Sequence, residues 1–363
     1  MSEHQLMIGI HRYPFSDLTE ADWELWSDIQ RSSPLLESPY FRPEFSLAVA
    51  EVRADVEVAL LTEAGRTVGF FPYQRGKLNI GKPVAGKLSD YHGLIAPADV
   101  QVDPRQLVRA CGLAAWDFDH LVAQPAFDRF VCVREESPYL DLSQGYEAYC
   151  QSRRAAGSDI VAKTNQKARK CEREIGPHQF EYDCQDEALF EQLKSWKSAQ
   201  YARTGLPDVF AFDWTTRLLD RLRRQSGAEL SAPLSVLRVA GKPACIALSL
   251  RSQRVLHCWF VAYDPELAPY SPGQTFFLRF AETAAALGVA RLDLGKGDER
   301  YKWSLASGGT PVGEGTVGSP SLSLWLRDGW RRTRDWVNNS SLRQTSRLPS
   351  RLIQPLREWM AYH

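Results

Sequence analysis

Two short stretches recur in this chain at one spacing, and no other feature narrows the possible folds as far. Glu63-Ala64-Gly65-Arg66-Thr67-Val68 resembles Val239-Ala240-Gly241-Lys242-Pro243-Ala244. Cys111-Gly112-Leu113-Ala114-Ala115-Trp116-Asp117-Phe118 resembles Leu287-Gly288-Val289-Ala290-Arg291-Leu292-Asp293-Leu294. Gly65 to Gly241 and Gly112 to Gly288 are both steps of 176 residues. The first pair sits where a hairpin turn is expected, the second where a helix gives way to a strand. Repetition at both junctions predicts two similar domains in tandem, for which a chain of 363 residues has room.

Periodicity supplies the elements. Thr19 is placed to cap a helix over residues 19–32, with Trp23, Trp26 and Ile29 at helical spacing. A second helix is expected over 43–53, strands over 56–61 and 67–73, a helix from Asp103-Pro104 to about Leu113, and a strand over 116–122. The second half opens with a basic stretch at 153–173 (seven Lys/Arg, two acids). Helices are then expected over 187–202 and 213–225, and strands over 234–239, 244–250 and 255–262. A helix over 273–287 and a strand over 290–294 complete the set. The expected division is 1–150, 151–320 and a tail at 321–363.

Composition excludes several classes. Hydrophobic residues at 44% support a packed core, and 44 basic against 44 acidic residues argue against a dedicated nucleic-acid binder. The seven cysteines form no CxxC pair, which fits reduced thiols and leaves no zinc motif, so no metal is expected. No apolar run reaches the roughly 18 residues that span a bilayer, and the N-terminus lacks a secretory-signal pattern. A cytoplasmic location is expected.

Two places carry chemistry. The loop Tyr263–Gln274 leads into a helix start, where Ser271 can cap, Pro272 fits the first position and Gly273 lets a ligand near the backbone. Unpaired N–H groups there would hold a phosphate, or the segment is simply a well-capped helix. Further on, Asp293-Leu294-Gly295-Lys296-Gly297-Asp298-Glu299-Arg300-Tyr301-Lys302-Trp303 bunches charge beyond a strand end. Lys302 suits an oxyanion or a phosphate, and Asp298 and Glu299 suit orienting it or accepting a proton. A solvated turn is the other reading for Glu299 and Arg300. No nucleotide-binding glycine frame is present.

The run AYDPELAPYSPGQTFFLRFAETAAALGVARLDLGKGDERYKWSLA resembles the CelD-like (cellulose-biosynthesis-type) acetyltransferases. These are relatives of the GNAT acyltransferases and of the FemAB-type aminoacyl transferases. Tyr263-Asp264, Tyr270-Ser271-Pro272-Gly273, Asp293-Leu294-Gly295 with Gly297, and Tyr301-Lys302 carry the likeness, with LKSWKSAQYARTG (193–205) upstream. It covers about residues 150–318, and more faintly 20–125, through SPYFRPEF and SDYHG. The resemblance implies an α/β (α+β) chain of tandem GNAT-like domains, each a mixed, mostly antiparallel sheet flanked by helices. The N-terminal domain would be a degenerate copy on the acceptor side, the C-terminal one the acyltransferase. It implies transfer of an acyl group, acetyl foremost, from acyl-CoA to an amine or hydroxyl of a sugar, nucleotide-sugar or lipid-linked sugar in exopolysaccharide biosynthesis.

By the same resemblance the donor lies at Tyr270, Ser271, Pro272, Gly273 and Gln274. The usual GNAT loop, Q/R-x-x-G-x-G/A, is reduced here to Gly273. FemAB-type relatives use aminoacyl-tRNA and keep a lysine that Lys302 matches, supporting the transferring carbonyl. Three readings therefore stand: an acyl-CoA enzyme, an aminoacyl transferase, and a scaffold that has lost the donor site.

Direct attack is expected, with Lys302, Asp298 and Tyr301 as catalytic residues. His257, and Asp90 or His92 from the first domain, are further candidate bases, and Cys245 and Cys258 are expected to be buried thiols. Asp90, Tyr91, His92, Trp259 and Asp264 are the acceptor-side candidates. Trp259 stacks on a sugar ring or packs in the core, and residues 163–173 hold a phosphate or form a solvated helix face. The tail, with Trp325, Trp330, Trp336 and Trp359 among its arginines, suits an anionic membrane surface beside a polysaccharide synthase. A cyclic dinucleotide at Arg331 and Arg334, or packing on the body, are the other readings.

Overall fold

The structure is a computed structural model, and it describes residues 8–225, 227, 229–297 and 299–318. The described residues divide into two compact units, the first built from 8–135 together with 311–318, the second from Glu136–Thr310.

Unit 1 contains β1 (Gly9–Pro14), α1 (Glu20–Ser32), α2 (Pro43–Val52), β2 (Val56–Glu63), β3 (Arg66–Arg75), β4 (Ile80–Lys82), α3 (Pro104–Ala110) and β5 (Ala115–Val122). Strand β6 (Val131–Asp141) follows. Unit 2 continues with α4 (Tyr146–Ala155), α5 (Ile160–Glu174), β7 (His178–Glu181), α6 (Glu187–Thr204), α7 (Asp213–Arg224), β8 (Leu234–Val239), β9 (Lys242–Ser252) and β10 (Val255–Tyr263). Its last elements are α8 (Pro272–Ala286), β11 (Arg291–Asp293) and α9 (Arg300–Leu305), and β12 (Gly308–Gly318) returns the chain to unit 1.

In unit 1 the strands run β1-β2-β3-β4-β5-β12, in unit 2 β7-β8-β9-β10-β11-β6. Both sheets are antiparallel except for one pair, β4 with β5 and β10 with β11, which are parallel. A parallel pair needs a crossover connection, supplied by α3 in one unit and α8 in the other. Each sheet is flanked by helices, so both units are mixed, mostly antiparallel α/β domains of one design.

The duplication is visible at single residues. Ala64 and Gly65 have φ of 48° and 77°, and Ala240 and Gly241 have 48° and 78°. Two successive positive φ values make a type I′ hairpin turn, which matches strand twist. The β2–β3 ladder shifts register between Leu61 and Thr62, and β8–β9 between Leu237 and Arg238, one repeat later. Gly112 and Gly288, which follow α3 and α8, are both left-handed at φ 64° and 78°, the usual way a helix ends.

Thr19 caps α1 as expected, in a reciprocal box with Asp22. Other expectations needed correction. The basic stretch at 153–173 is two helices, broken at Gly157 with φ 76°. The helix begun at Pro104 ends at Ala110. Strands β1, β4, β6, β7 and β12 were not among the expected elements. The glycines of β12 answer to contact, not turning: a Cβ on Gly315 would lie 1.9 Å from Phe130 O, and one on Gly308 would lie 2.5 Å from the Tyr139 ring.

Candidate active site in the second unit

The site begins where a sheet opens. β10 pairs with β11 only over Val255–His257, because β11 ends at Asp293 while β10 runs on to Tyr263. On its other edge β10 carries a bulge, with Trp259 the extra residue between the pairs Cys258↔Ser249 and Phe260↔Leu248. A bulge bends and twists the strand that carries it. Bulge and fork therefore fall at the same level of β10. Trp259 is half-buried, its ring 5.2 Å from that of Phe260.

Asp293 holds the fork. Its Oδ1 accepts the Gly295 N–H at 2.8 Å and the Ser137 hydroxyl at 3.2 Å, and lies 3.3 Å from His257 Nδ1. Asp293 and His257 are both wholly buried. Cys245 and Cys258 are also buried, and desolvation pushes both thiols far up, as expected of inert thiols.

Beyond β10, a turn over Pro265–Tyr270 delivers the chain to α8. Asp264 is occupied in that turn, accepting the Glu266 N–H at 3.0 Å. Ser271 was expected to cap α8 and does not. Side-chain caps need an extended backbone, whereas Ser271 is left-handed at φ 54°, ψ 56°. Its hydroxyl instead accepts from Lys167 Nζ of α5 at 2.8 Å. Tyr270 donates to Glu174 at 2.8 Å, with Lys170 Nζ 5.9 Å from its ring centroid.

α5 thus brings ammonium groups to the start of α8, where Pro272 is the first residue. A Cβ on Gly273 would meet nothing nearer than Tyr263 Cδ1 at 3.9 Å, so the backbone is open there. Gln274 is half-buried, and the buried Thr275 Oγ1 has no hydrogen-bond partner. An N-terminal helix dipole, a nearby lysine and open backbone form a surface that suits a phosphate.

The charged run after β11 folds back on the fork. Lys302 is buried, and its Nζ donates to Gly295 O and Lys296 O, both at 3.2 Å, with Glu299 Oε2 at 3.3 Å. Three acceptors match the three hydrogens of an ammonium, so this lysine ties down the 295–299 loop. Tyr301 stacks on Phe277 of α8 (5.7 Å, 23°), and burial raises its phenol, keeping it a neutral donor. Asp298 lies outside the described residues, as does the tail.

Lys197 of α6 escaped the sequence reading. It is half-buried, donates to Gln200 Oε1 at 3.1 Å and lies 5.0 Å from the Tyr201 ring centroid. Burial first, then the Lys302 ammonium, lowers its pKa to about 8. The signal was present in LKSWKSAQYARTG, since Lys197 continues the stripe of Leu189, Phe190 and Leu193 that α6 buries.

The acceptor-side candidates Asp90, Tyr91 and His92 belong to unit 1. Tyr91 is buried beside Tyr40, and Asp90 Oδ1 lies 3.8 Å from His120 Nε2. His92 is a buried neutral ring, its pKa pushed down to about 3 by desolvation. Its Nε2 donates to Ser89 O at 2.8 Å and its Nδ1 accepts the His120 N–H at 3.3 Å. Ligand atoms of His92, Asp119 and His120 lie within 4.8 Å of one another. Lys87 already pairs with Asp119, so this cluster satisfies itself internally.

Unit 1 does not repeat the donor surface. Its counterpart of β10, strand β4, has three residues, and at the start of α3 the Asp103 carboxylate accepts the Arg105 N–H at 3.0 Å. An anion already fills that helix end.

Residues 158–303 match the Acetyltransferase (GNAT) domain family. No curated protein matches the sequence. Among solved structures, the C-terminal domain (DUF2156) of a putative lysylphosphatidylglycerol synthetase from Agrobacterium fabrum is similar at TM-score 0.52 and 15% identity, over 85% of this chain and 95% of that one. FemX is similar at TM-score 0.53 and 9% identity, over 84% of this chain and 96% of that one. A conserved protein of unknown function from Bacteroides thetaiotaomicron gives 0.53 and 11%, over 85% and 98%. These likenesses are of fold, and their extent takes in both units. Among the described residues no helix is long and apolar enough to cross a membrane. The matched segment contains β10, α8 and the loop held by Lys302, and residues 158–303 are a GNAT-type acetyltransferase domain.

Proposed function

We propose that unit 2 moves an acyl group, acetyl foremost, from acyl-CoA to an amine or hydroxyl of a sugar or sugar-linked precursor, as in exopolysaccharide assembly. The observation that carries the reading is Lys167 at the open start of α8, directly after the forked and bulged strand β10. The CoA pyrophosphate would meet the first N–H groups of α8 and the Lys167 ammonium. The thioester would then extend toward the fork, where the edge of β10 beyond His257 has lost its strand partner. Backbone N–H groups aimed at a carbonyl oxygen stabilise the charge that develops there. Trp259, half-buried at the bulge, is placed to bound the acceptor. The sugar and the polymer follow from the family resemblance, whereas a synthase partner and a membrane-adjacent location rest on the tryptophans and arginines of the tail.

Aminoacyl transfer is the second reading, favoured by Lys302 in the late motif. In this geometry Lys302 holds the loop, which places that reading behind the first. Calorimetry of the full chain with acetyl-CoA tests the order. Binding is expected, weakened about tenfold or more by Lys167→Glu, which puts a negative charge at a helix start. Absence of binding to acetyl-CoA and longer acyl-CoAs would overturn the lead reading. Transfer from aminoacyl-tRNA would then establish the second.

A further inference from the structure

A GNAT-type transfer needs a group that takes the acceptor's proton, and the obvious candidates of unit 2 are poorly suited. His257 is wholly buried against Asp293. Cys245 and Cys258 are buried thiols whose ionisation is suppressed. Lys302 is committed to two carbonyls and Glu299, which tie it to the loop.

Lys197 differs from all of these. Helix α6 packs on β10 and β9. Its buried stripe of Leu189, Phe190 and Leu193 reaches Lys197 one turn later. The Tyr201 ring, which Lys197 touches, lies 6.3 Å from Phe210, and Phe210 lies 5.2 Å from Phe260. Phe260 adjoins the bulged Trp259 of β10. Lys197 is therefore tied through packed rings to the level at which the sheet opens. Its hydrogen-bonding partner is a neutral amide oxygen, that of Gln200. Two ammonium groups near one another in a half-buried place repel, and the one without a bonded carboxylate yields its proton.

Resting on the acyl-transfer reading, we propose that Lys197 is the general base of unit 2, taking the proton of the acceptor as the acceptor attacks the acyl carbon. The acceptor nitrogen or oxygen forms a bond to that carbon, and the carbon–sulfur bond breaks with its electron pair leaving on sulfur. The acceptor proton moves to the neutral Lys197 amine and then to the CoA thiolate or to water, which restores the amine.

Two measurements on the full chain test this. Competitive labelling with acetic anhydride across pH, read peptide by peptide, is expected to show Lys197 titrating near pH 8, against about 10.4 for ordinary lysines. A midpoint above 10 would overturn the proposal whatever the activity. The second is CoA release from acetyl-CoA, with glucosamine as probe acceptor and with water alone. Lys197→Arg and Lys197→Met are expected to lose about 10²-fold or more in kcat, to keep KM for acetyl-CoA within about twofold, and to lose the rising pH limb. Lys197→Arg keeps a charge that cannot be given up, so a full rate in that variant would also refute the role. Failure of the acyl-transfer reading looks different: acetyl-CoA does not bind the unaltered protein, while the labelling midpoint of Lys197 stays near 8.

Discussion

Asp293 Oδ1 lies 3.3 Å from His257 Nδ1, and both side chains are wholly buried where β10 and β11 part. The same oxygen takes the Gly295 N–H, so one carboxylate binds the last residue of β11 to the loop beyond it and to the neighbouring strand. Asp293→Ala would leave a buried amide hydrogen and a buried hydroxyl without their acceptor. A loss of about 3–5 kcal/mol is expected, read as a fall in the urea midpoint at unchanged slope.

Lys302→Met should loosen the loop at 295–299 without emptying the core. The carbonyls of Gly295 and Lys296 lose their donor, at a cost of about 1–3 kcal/mol. A lowered thermal midpoint with faster hydrogen exchange confined to 294–300 is the expected result. Unchanged exchange there would show that other contacts hold the loop.

Two glycine substitutions separate folding from binding. Gly315→Ala places a Cβ 1.9 Å from a backbone oxygen, and a loss above about 3 kcal/mol follows. Gly273→Ala meets only Tyr263 Cδ1, at an unstrained 3.9 Å, so the thermal midpoint should hold while acetyl-CoA affinity falls. A large stability loss in Gly273→Ala would mean that the start of α8 is packed.

Acid should weaken unit 1 through His92. Its folded pKa of about 3 lies below the unfolded value of about 6.5. Between these values the unfolded chain binds the extra proton, so stability is full above about 6.5 and declines as pH falls toward 3. Asp119 adds the same sign below its ordinary range, since Lys87 and His120 hold it ionised. His92→Gln should flatten the stability profile between pH 6.5 and 4, measured by urea denaturation at several pH values.

Some of this was legible in the residues because its cause is local. The Ala-Gly turns at 64–65 and 240–241 need two positive φ values, and the glycines after α3 and α8 need one, so the duplication was written in the chain. Helical spacing marked α1, α6 and α8, and YSPG located the helix start at the fork. Position alone did not give roles. Ser271 looked like a cap, and its left-handed backbone turned the hydroxyl to Lys167, a residue 104 positions away.

The sequence by itself determined that the chain holds two copies of one mixed α/β unit and where the second copy carries its charged loop. Tertiary structure decided the rest. Five of the eleven residues of β12 are glycines, and Tyr139, Val131 and Phe130 crowd three of them; no period encodes a neighbour's bulk. Lys302 and Lys197 read alike as lysines in a chain. Two carbonyls and a carboxylate fasten the first to the loop, while burial and the nearby Lys302 ammonium lower the proton affinity of the second. Those partners meet only when α6, β10 and α9 pack, because electrostatic energy depends on distance in space and not along the chain.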